Sequence, residues 1–332
     1  MILVEENIHH FEGAMMNKKL KFLLLSLCVS SAYANDTTGY ISTSGVQYIK
    51  NKDIHMYSED LYISKDKIKV DYQFKNLSNR NITETILFPL PKVENVFESD
   101  FADTEGLLSS FKVQVDGKSI QPTMHVRAYI AYGKENARQT IDVTQAFKEC
   151  GFSEQDLLNP WTRKNTDYEH YINKIRQCQH PKLKPYIGNS DDYIEWLSEV
   201  VYSWKQTFKA KSMTRVQHQY QPLVGGAISL YMENDAKQFC MDQSFKNGLK
   251  KRKGEITPYS ALGYVLTTGA NWAKPIEDFK LTIERDKDEL VSFCWNGKVK
   301  KISPTQFQMV ERKFTPKQDL DIIFVKPMSL NQ

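Results

Sequence analysis

His218 has the side chain with the most chemical potential in this sequence. In MTRVQHQY it alternates in step with Thr214, Val216 and Tyr220, while Arg215, Gln217, Gln219 and Gln221 take the other parity. An imidazole on the dry side of a strand can ligate a metal, act as a general base, or sit in the core with one hydrogen bond. No second histidine or acid stands at a strand-compatible spacing, and His55, His125, His170 and His180 are dispersed, so the pattern predicts a structural histidine. Glu59 and Asp60 are adjacent acids in DIHMYSEDLYI. Neighbours on a strand face opposite ways, so Ser58-Glu59-Asp60 reads as a solvated turn rather than a carboxylate site. The chain has no G-x-S-x-G, H-E-x-x-H, P-loop or G-x-G-x-x-G motif, and no S-x-x-K with a downstream K-T-G. The motifs therefore give no catalytic residue, no metal site and no cofactor, and they leave any ligand-binding residues unknown.

The N-terminus predicts the compartment. Met16 to Lys21 (MNKKLK) is a basic segment, Phe22 to Val29 is apolar, and Ala32-Tyr33-Ala34 is a small-x-small cleavage site. Residues 16–34 thus read as a cleavable signal peptide, with Asn35 the first mature residue and a periplasmic or secreted destination. Residues 1–15 carry three acids and no base, the wrong charge for a leader, and read as an upstream mis-start. Cys28 follows Leu27 rather than a small residue, which argues against lipoprotein processing, and no later stretch approaches the roughly 20 apolar residues of a membrane span.

Setting Cys28 aside with the leader leaves Cys150, Cys178, Cys240 and Cys294. No two are spaced C-x-x-C, so a zinc knuckle and a dithiol redox motif are both missing. An even number in an oxidising compartment predicts two disulfides, with three possible connectivities. Cys150 with Cys178 would staple a small helical insertion, and Cys240 with Cys294 would pin a helix to its sheet.

The elements that must position these residues read as mainly β, an α+β fold. With 332 residues, 41% of them apolar, the chain can bury a large core. Lys67 to Pro91 alternates twice across the polar Asn76 to Arg80, predicting a hairpin that Pro89 and Pro91 terminate. Phe111 to Ile120 is a second hairpin turning at Asp116-Gly117. Helical patterns follow Asp142, Thr166 and Ser190, the last carrying Ile194, Leu197 and Val201, and define an insertion over about 135–203 before the β pattern resumes at Trp204. Beyond Gly225-Gly226, a strand at Ile228 to Tyr231 and a helix from Asn234 to Leu249 are expected. Strands follow at Tyr264–Thr267, Phe279–Ile283, Val291–Cys294, Phe307–Val310 and Leu320–Val325, with a hairpin turn at Asn296-Gly297. The organisation predicted is an antiparallel, β-sandwich-like domain over 35–230 containing the insertion, then a smaller β-rich domain with one helix over 231–328.

Several stretches together resemble a known family: SEDLYIS from Ser58, FKNLSNRNI leading to FPLP, VDGK, DVT from Asp142, WKQTF from Trp204, HQYQP from His218, LTTGANW from Leu266, SFC from Ser292 and FTPKQDLDIIF from Phe314. As a set they look like the exported bacterial family catalogued as domain of unknown function 4424, over nearly the whole mature chain. That resemblance implies no activity, cofactor or catalytic residue. A second likeness, of fold only, is to VIT-type β-sandwich domains, carried by Val70 to Phe74, Phe88 to Pro91, Asp116 to Lys118 and Tyr220 to Leu223.

Charge narrows the partners. The balance of 44 basic and 40 acidic residues gives +4, spread along the chain apart from Lys250 to Lys253, so no nucleic acid is implied. Those four cations end a helix and suit its C-terminus. The sequence reads as a non-enzymatic exported protein that binds another envelope component or a ligand, with Trp161, Trp196, Trp204 and Trp272 as candidate contacts. The alternative is a periplasmic hydrolase whose site is assembled from dispersed carboxylates and His218.

Overall fold

A computed structural model describes residues 36–42, 45–95, 102–133, 139–164, 167–186, 196–252 and 254–328. The predicted mis-start and signal peptide, and with them Cys28, lie outside the described residues. The fold is mostly β, as the sequence predicts.

A six-stranded sheet runs β2-β1-β5-β10-β8-β9, built from β1 (Thr37–Ser42), β2 (Gly45–Ile49), β5 (Ile82–Glu94), β8 (Thr123–Tyr132), β9 (Gln139–Asp142) and β10 (Trp196–Phe208). An eight-stranded sheet runs β16-β17-β14-β3-β4-β11-β6-β7. Its strands are β3 (Ile54–Ile63), β4 (Ile68–Asn76), β6 (Lys112–Val115), β7 (Lys118–Ile120), β11 (Met213–Tyr220), β14 (Ile276–Glu284), β16 (Lys300–Lys301) and β17 (Gln306–Phe314). Strands from both ends of the chain share this sheet, through the parallel pairing of β3 with β14. A four-stranded sheet, β12-β13-β18-β15, comprises β12 (Gly225–Ala227), β13 (Tyr259–Tyr264), β15 (Leu290–Phe293) and β18 (Leu320–Val325).

β4 alternates buried and wet positions along its whole length, so its dry face needs a cover. The six-stranded sheet supplies it: the Phe74 ring lies 5.9 Å from Phe208 of β10, and Phe88 of β5 lies 5.7 Å from Tyr220 of β11. The expected hairpin is therefore corrected. β4 and β5 are consecutive but sit in different sheets, and the chain crosses between layers at Asn76. There the amide donates to the carbonyls of Arg80 (2.8 Å) and Phe208 (3.0 Å) and accepts from the Ser78 N–H. Pro89 and Pro91 do not end β5. β1 pairs with it only at Ile86 and Leu87, so beyond them one edge of β5 has no strand partner among the described residues and loses nothing at a missing N–H.

Other expectations also shift. Ser58 to Asp60 is no turn, since β3 continues through it with a bulge between Met56 and Ser58. The insertion holds α2 (Thr144–Glu149), α3 (Glu154–Thr162) and α4 (Tyr168–Gln177), following α1 (Thr104–Ser110) earlier in the chain. The helix expected after Ser190 is instead the start of β10, which carries Leu197 and Val201; Ser190 and Ile194 lie outside the described residues. Its Val200-Val201-Tyr202 run suits a central strand, and both neighbours, β5 and β8, are in place to pair with it. The helix expected over 234–249 is two, α5 (Met232–Gln238) and α6 (Gln243–Arg252), because Cys240 takes φ 50° and Asp242 accepts from the Phe245 N–H at 2.7 Å to start a new helix. The strand expected at Ile228 is Gly225–Ala227, where a side chain on Gly226 would meet the Tyr259 carbonyl at 2.2 Å. The Asn296-Gly297 turn links strands of different sheets rather than a hairpin. The Asp116-Gly117 hairpin stands, with φ of 47° and 77° at the two turn residues.

Trp161, Trp196, Trp204 and Trp272 are all buried, so the tryptophans build the core rather than a contact surface. Cys150 bonds Cys178 and Cys240 bonds Cys294, with Cα–Cα distances of 5.5 and 5.0 Å. The sequence separations are 28 and 54 residues. Constraining the unfolded chain across such loops contributes about 3.5 and 4 kcal/mol. Reduction of the folded protein is expected to lower the urea midpoint in two separable increments, read with Cys150→Ala/Cys178→Ala and Cys240→Ala/Cys294→Ala variants; an unchanged midpoint in either variant would remove that bridge from the account.

Candidate functional site

The inner face of the eight-stranded sheet is not uniformly apolar. In β3, Glu59 shares the parity of Leu61 and Ile63, so it points inward with them and is 1% exposed. Pairing sets Glu59 beside Tyr72 of β4, and Leu61 in line with Val70 and then His218 of β11. Asp36, just ahead of β1, reaches the same space, and its Oδ1 lies 3.0 Å from Nε2 of His218. The His218 side chain is fully enclosed. Tyr220 of β11 and Tyr264 of β13 complete the group, the Tyr264 hydroxyl lying 3.3 Å from that of Tyr72. Aromatic rings pack around the imidazole: Phe88 at 5.0 Å, Trp204 at 5.6 Å, Tyr72 at 5.7 Å and Phe111 at 5.8 Å.

The cluster is short of hydrogen bonds. Both oxygens of Asp36, both of Glu59, both ring nitrogens of His218 and the Tyr220 hydroxyl lack a partner in bonding geometry among the described residues. The Asp36–His218 approach is thus a contact between charge-bearing atoms, without the in-line N–H of a hydrogen bond. Burial pushes the Glu59 carboxyl up to about 8, and the Asp36 carboxylate adds to the rise. Burial, and then the Glu59 charge, likewise raise the Tyr220 phenol. A protonated Glu59 would be a hydrogen-bond donor in this core. Among the described residues, no three His, Cys, Asp or Glu side chains are gathered closely enough to hold a metal.

His218 is buried as the sequence predicts, but the single-partner environment expected of it is corrected: it faces a carboxylate 182 residues upstream (218 minus 36). The solvated-turn reading of Glu59 is also overturned, and only Asp60 points outward. The other histidines remain apart. His55 Nε2 meets the Pro275 carbonyl at 2.8 Å, His125 the Ser203 hydroxyl at 2.8 Å, and His180 the Glu149 carboxylate at 2.9 Å. Parity with Leu61 and Ile63 could have identified Glu59 from sequence alone; nothing local marks Asp36.

The outer face of the same sheet is wet. Cross-strand pairing sets Tyr62, Lys69, Gln219 and Lys112 in one row, and Asp60, Asp71, Gln217 and Gln114 in the next. Together they line a cleft of about 540 Å³. Asp60 is matched by Lys280 at 2.5 Å, and Asp71 by Arg215 and by the Gln217 amide at 3.1 Å. Lys69 and Lys112 carry no acidic partner among the described residues. The Tyr62 hydroxyl donates to Glu284 at 2.6 Å, and its pKa is pushed up to about 12 by burial and by that bond.

Fold and site define a disulfide-stapled, layered β protein with a closed carboxylate–imidazole cluster between its sheets. The chain belongs to the family described as domain of unknown function (DUF4424), whose model matches residues 34–323. No curated protein matches it. Among solved structures, it is similar to a Legionella pneumophila protein provisionally described as a nutrient binding protein, at 14% identity and a TM-score of 0.44, covering 89% of this chain and 71% of that one. It is also similar to yeast LTA4 hydrolase (10% identity, TM-score 0.25) and to a two-domain M1 zinc metallopeptidase (7%, 0.27). Those two alignments cover 82% and 83% of this chain but only 29% and 43% of the other proteins.

Glu59 generates a pH prediction for the full-length chain. The folded state keeps its proton up to about 8, whereas the unfolded state releases it near 4.5. Between those values the folded state binds more protons, so this contribution to stability is complete below the lower value and is lost as pH rises through the upper one. Glu59→Gln is expected to abolish that slope and to raise stability at pH 8 by a few kcal/mol, an order-of-magnitude figure. Urea unfolding of both proteins at pH 5 and pH 8 measures it, and identical slopes would contradict it.

Proposed function

We propose that this is an exported, non-enzymatic binding protein of the cell envelope, which takes an anionic, hydrogen-bonding envelope component on the outer face of its eight-stranded sheet. The observation that carries this reading is the row Tyr62–Lys69–Gln219–Lys112. It presents two cations without acidic partners among the described residues, flanked by amides, in a cleft whose acids Asp60 and Asp71 are already matched by Lys280 and Arg215. Such a surface attracts carboxylate- or phosphate-bearing groups and loses its pull as salt rises. Among the described residues no helix is long and apolar enough to cross a membrane. That and the two disulfides are compatible with an exported protein.

The Asp36–His218 contact is the observation that favours the alternative, a periplasmic hydrolase, since an imidazole beside a carboxylate is acid–base machinery. Against it stands the burial of both side chains among the described residues, His218 fully and Asp36 to 1% exposure.

Calorimetric titration with a phosphorylated, a carboxylated and a neutral oligosaccharide tests the binding reading. Binding is expected for an anionic probe only. It should weaken about tenfold in Lys69→Ala/Lys112→Ala, with an unchanged melting temperature, and fall further with added salt. Equal affinity for the neutral probe, or an unaffected double variant, would overturn it.

A further inference from the structure

The row on the outer face of the eight-stranded sheet does not stop at Tyr62. The parallel pairing of β3 with β14 sets Tyr62 opposite Thr282, β17 sets Gln308 opposite Thr282, and β16 sets Lys300 opposite Gln308. Directly paired residues share a face, and the Gln308 amide lies 3.5 Å from the Thr282 hydroxyl on this one. Seven strands thus give one side chain each to a single line from Lys300 to Lys112. Six strand spacings of roughly 4.8 Å make it about 29 Å long. The hollow continues with it: a second cleft of about 330 Å³ adjoins the first, Asp60 and Asp71 lining both, and reaches Val310 and Arg312 of β17.

Charge along the line is one-sided. Lys69, Lys112 and Lys300 have no acidic partner among the described residues. The flanking acids are matched: Glu284 accepts from the Tyr62 hydroxyl at 2.6 Å and the Gln306 amide at 2.9 Å, Asp278 pairs with Arg312, Asp60 with Lys280 and Asp71 with Arg215. Register puts Lys112 two strands from Lys69 and Lys300 four strands beyond it, about 10 and 19 Å. One carboxylate or phosphate cannot meet all three. Between them Gln219, Thr282 and Gln308 can donate to and accept from hydroxyl groups. The line holds one aromatic side chain, Tyr62, so it offers no succession of rings for stacked bases. An extended peptide adds to a sheet at its edge, where backbone groups are free, rather than across its face. We propose that the occupant is a linear anionic polysaccharide bearing carboxylate or phosphate groups, which lies across the strands and engages Lys112, Lys69 and Lys300 together. This rests on the binding reading above and gives it a ligand class.

The test titrates the full chain with oligogalacturonates from dimer to octamer and with phosphodiester-linked oligosaccharides of the same lengths. Affinity for at least one series is expected to rise at least about tenfold from dimer to octamer, because each further contact on a chain already bound is made at high effective concentration. The series that shows the rise tells carboxylate from phosphate. Lys300→Ala, at an exposed position, should remove most of the rise, leave dimer binding as it was and keep the melting temperature. Octaglutamate binding as tightly as the octasaccharide would put an acidic peptide in the polysaccharide's place and overturn the proposal. Dimer and octamer binding alike, with Lys300→Ala silent and Lys69→Ala/Lys112→Ala still weakening both, overturns the extended ligand alone. Failure of both series to bind overturns this proposal and the binding reading together.

Discussion

The layer crossing at Asn76 is the constraint on which the rest of the structure depends. A strand that alternates as strictly as β4 must find a second surface for its dry face, and the strand that follows it is sent across the gap to help form that surface rather than back alongside it. The Asn76 side chain bonds backbone groups from Ser78, Arg80 and Phe208, tying the end of one layer to the end of the other. The spacing of the sheets, the burial of the tryptophans and the enclosure of His218 all follow from that arrangement. β10 extends it, since its pairing with β5 spans eleven residue pairs, from Leu197 to Phe208.

Within this frame the polar cluster is the expensive part. Desolvating a carboxyl favours its neutral form, which is the origin of the Glu59 shift, and the neighbouring Asp36 charge works in the same direction. A core built only for stability would place aliphatic groups there. The cluster is also where sheet-forming segments distant in sequence converge: Asp36 at the start of β1, Glu59 in β3, His218 in β11 and Tyr264 in β13. Its protonation and partners are thus coupled to the packing of three sheets. By contrast, the outer cleft draws its chemistry from register alone, because directly paired residues on neighbouring strands fall into rows without further packing.

Much was legible in the sequence wherever the physics is local. Period-two alternation located β4 and β11 and set the face of His218, and the Asp-Gly pair fixed the β6–β7 turn. The cysteine positions led to both bridges, since each pair falls within one small structural unit. Local reading failed where two periods coincide or where a strand could pair with more than one neighbour. Leu197 and Val201 fit a helical stripe as well as one face of a strand, and only the presence of β5 and β8 on either side settles the matter.

The sequence by itself determined that the protein is mostly β, that four cysteines can close two bridges, and that His218 is inward-facing. Those properties rest on alternation, turn chemistry and side-chain type, which act over a few residues. Only the tertiary structure decided that β4 and β5 belong to different layers, that Glu59 is buried rather than solvated, and that Asp36 meets His218. Such contacts join residues separated by tens to hundreds of positions, and they form because apolar faces must be covered. That requirement does not say in advance which polar groups will be enclosed with them.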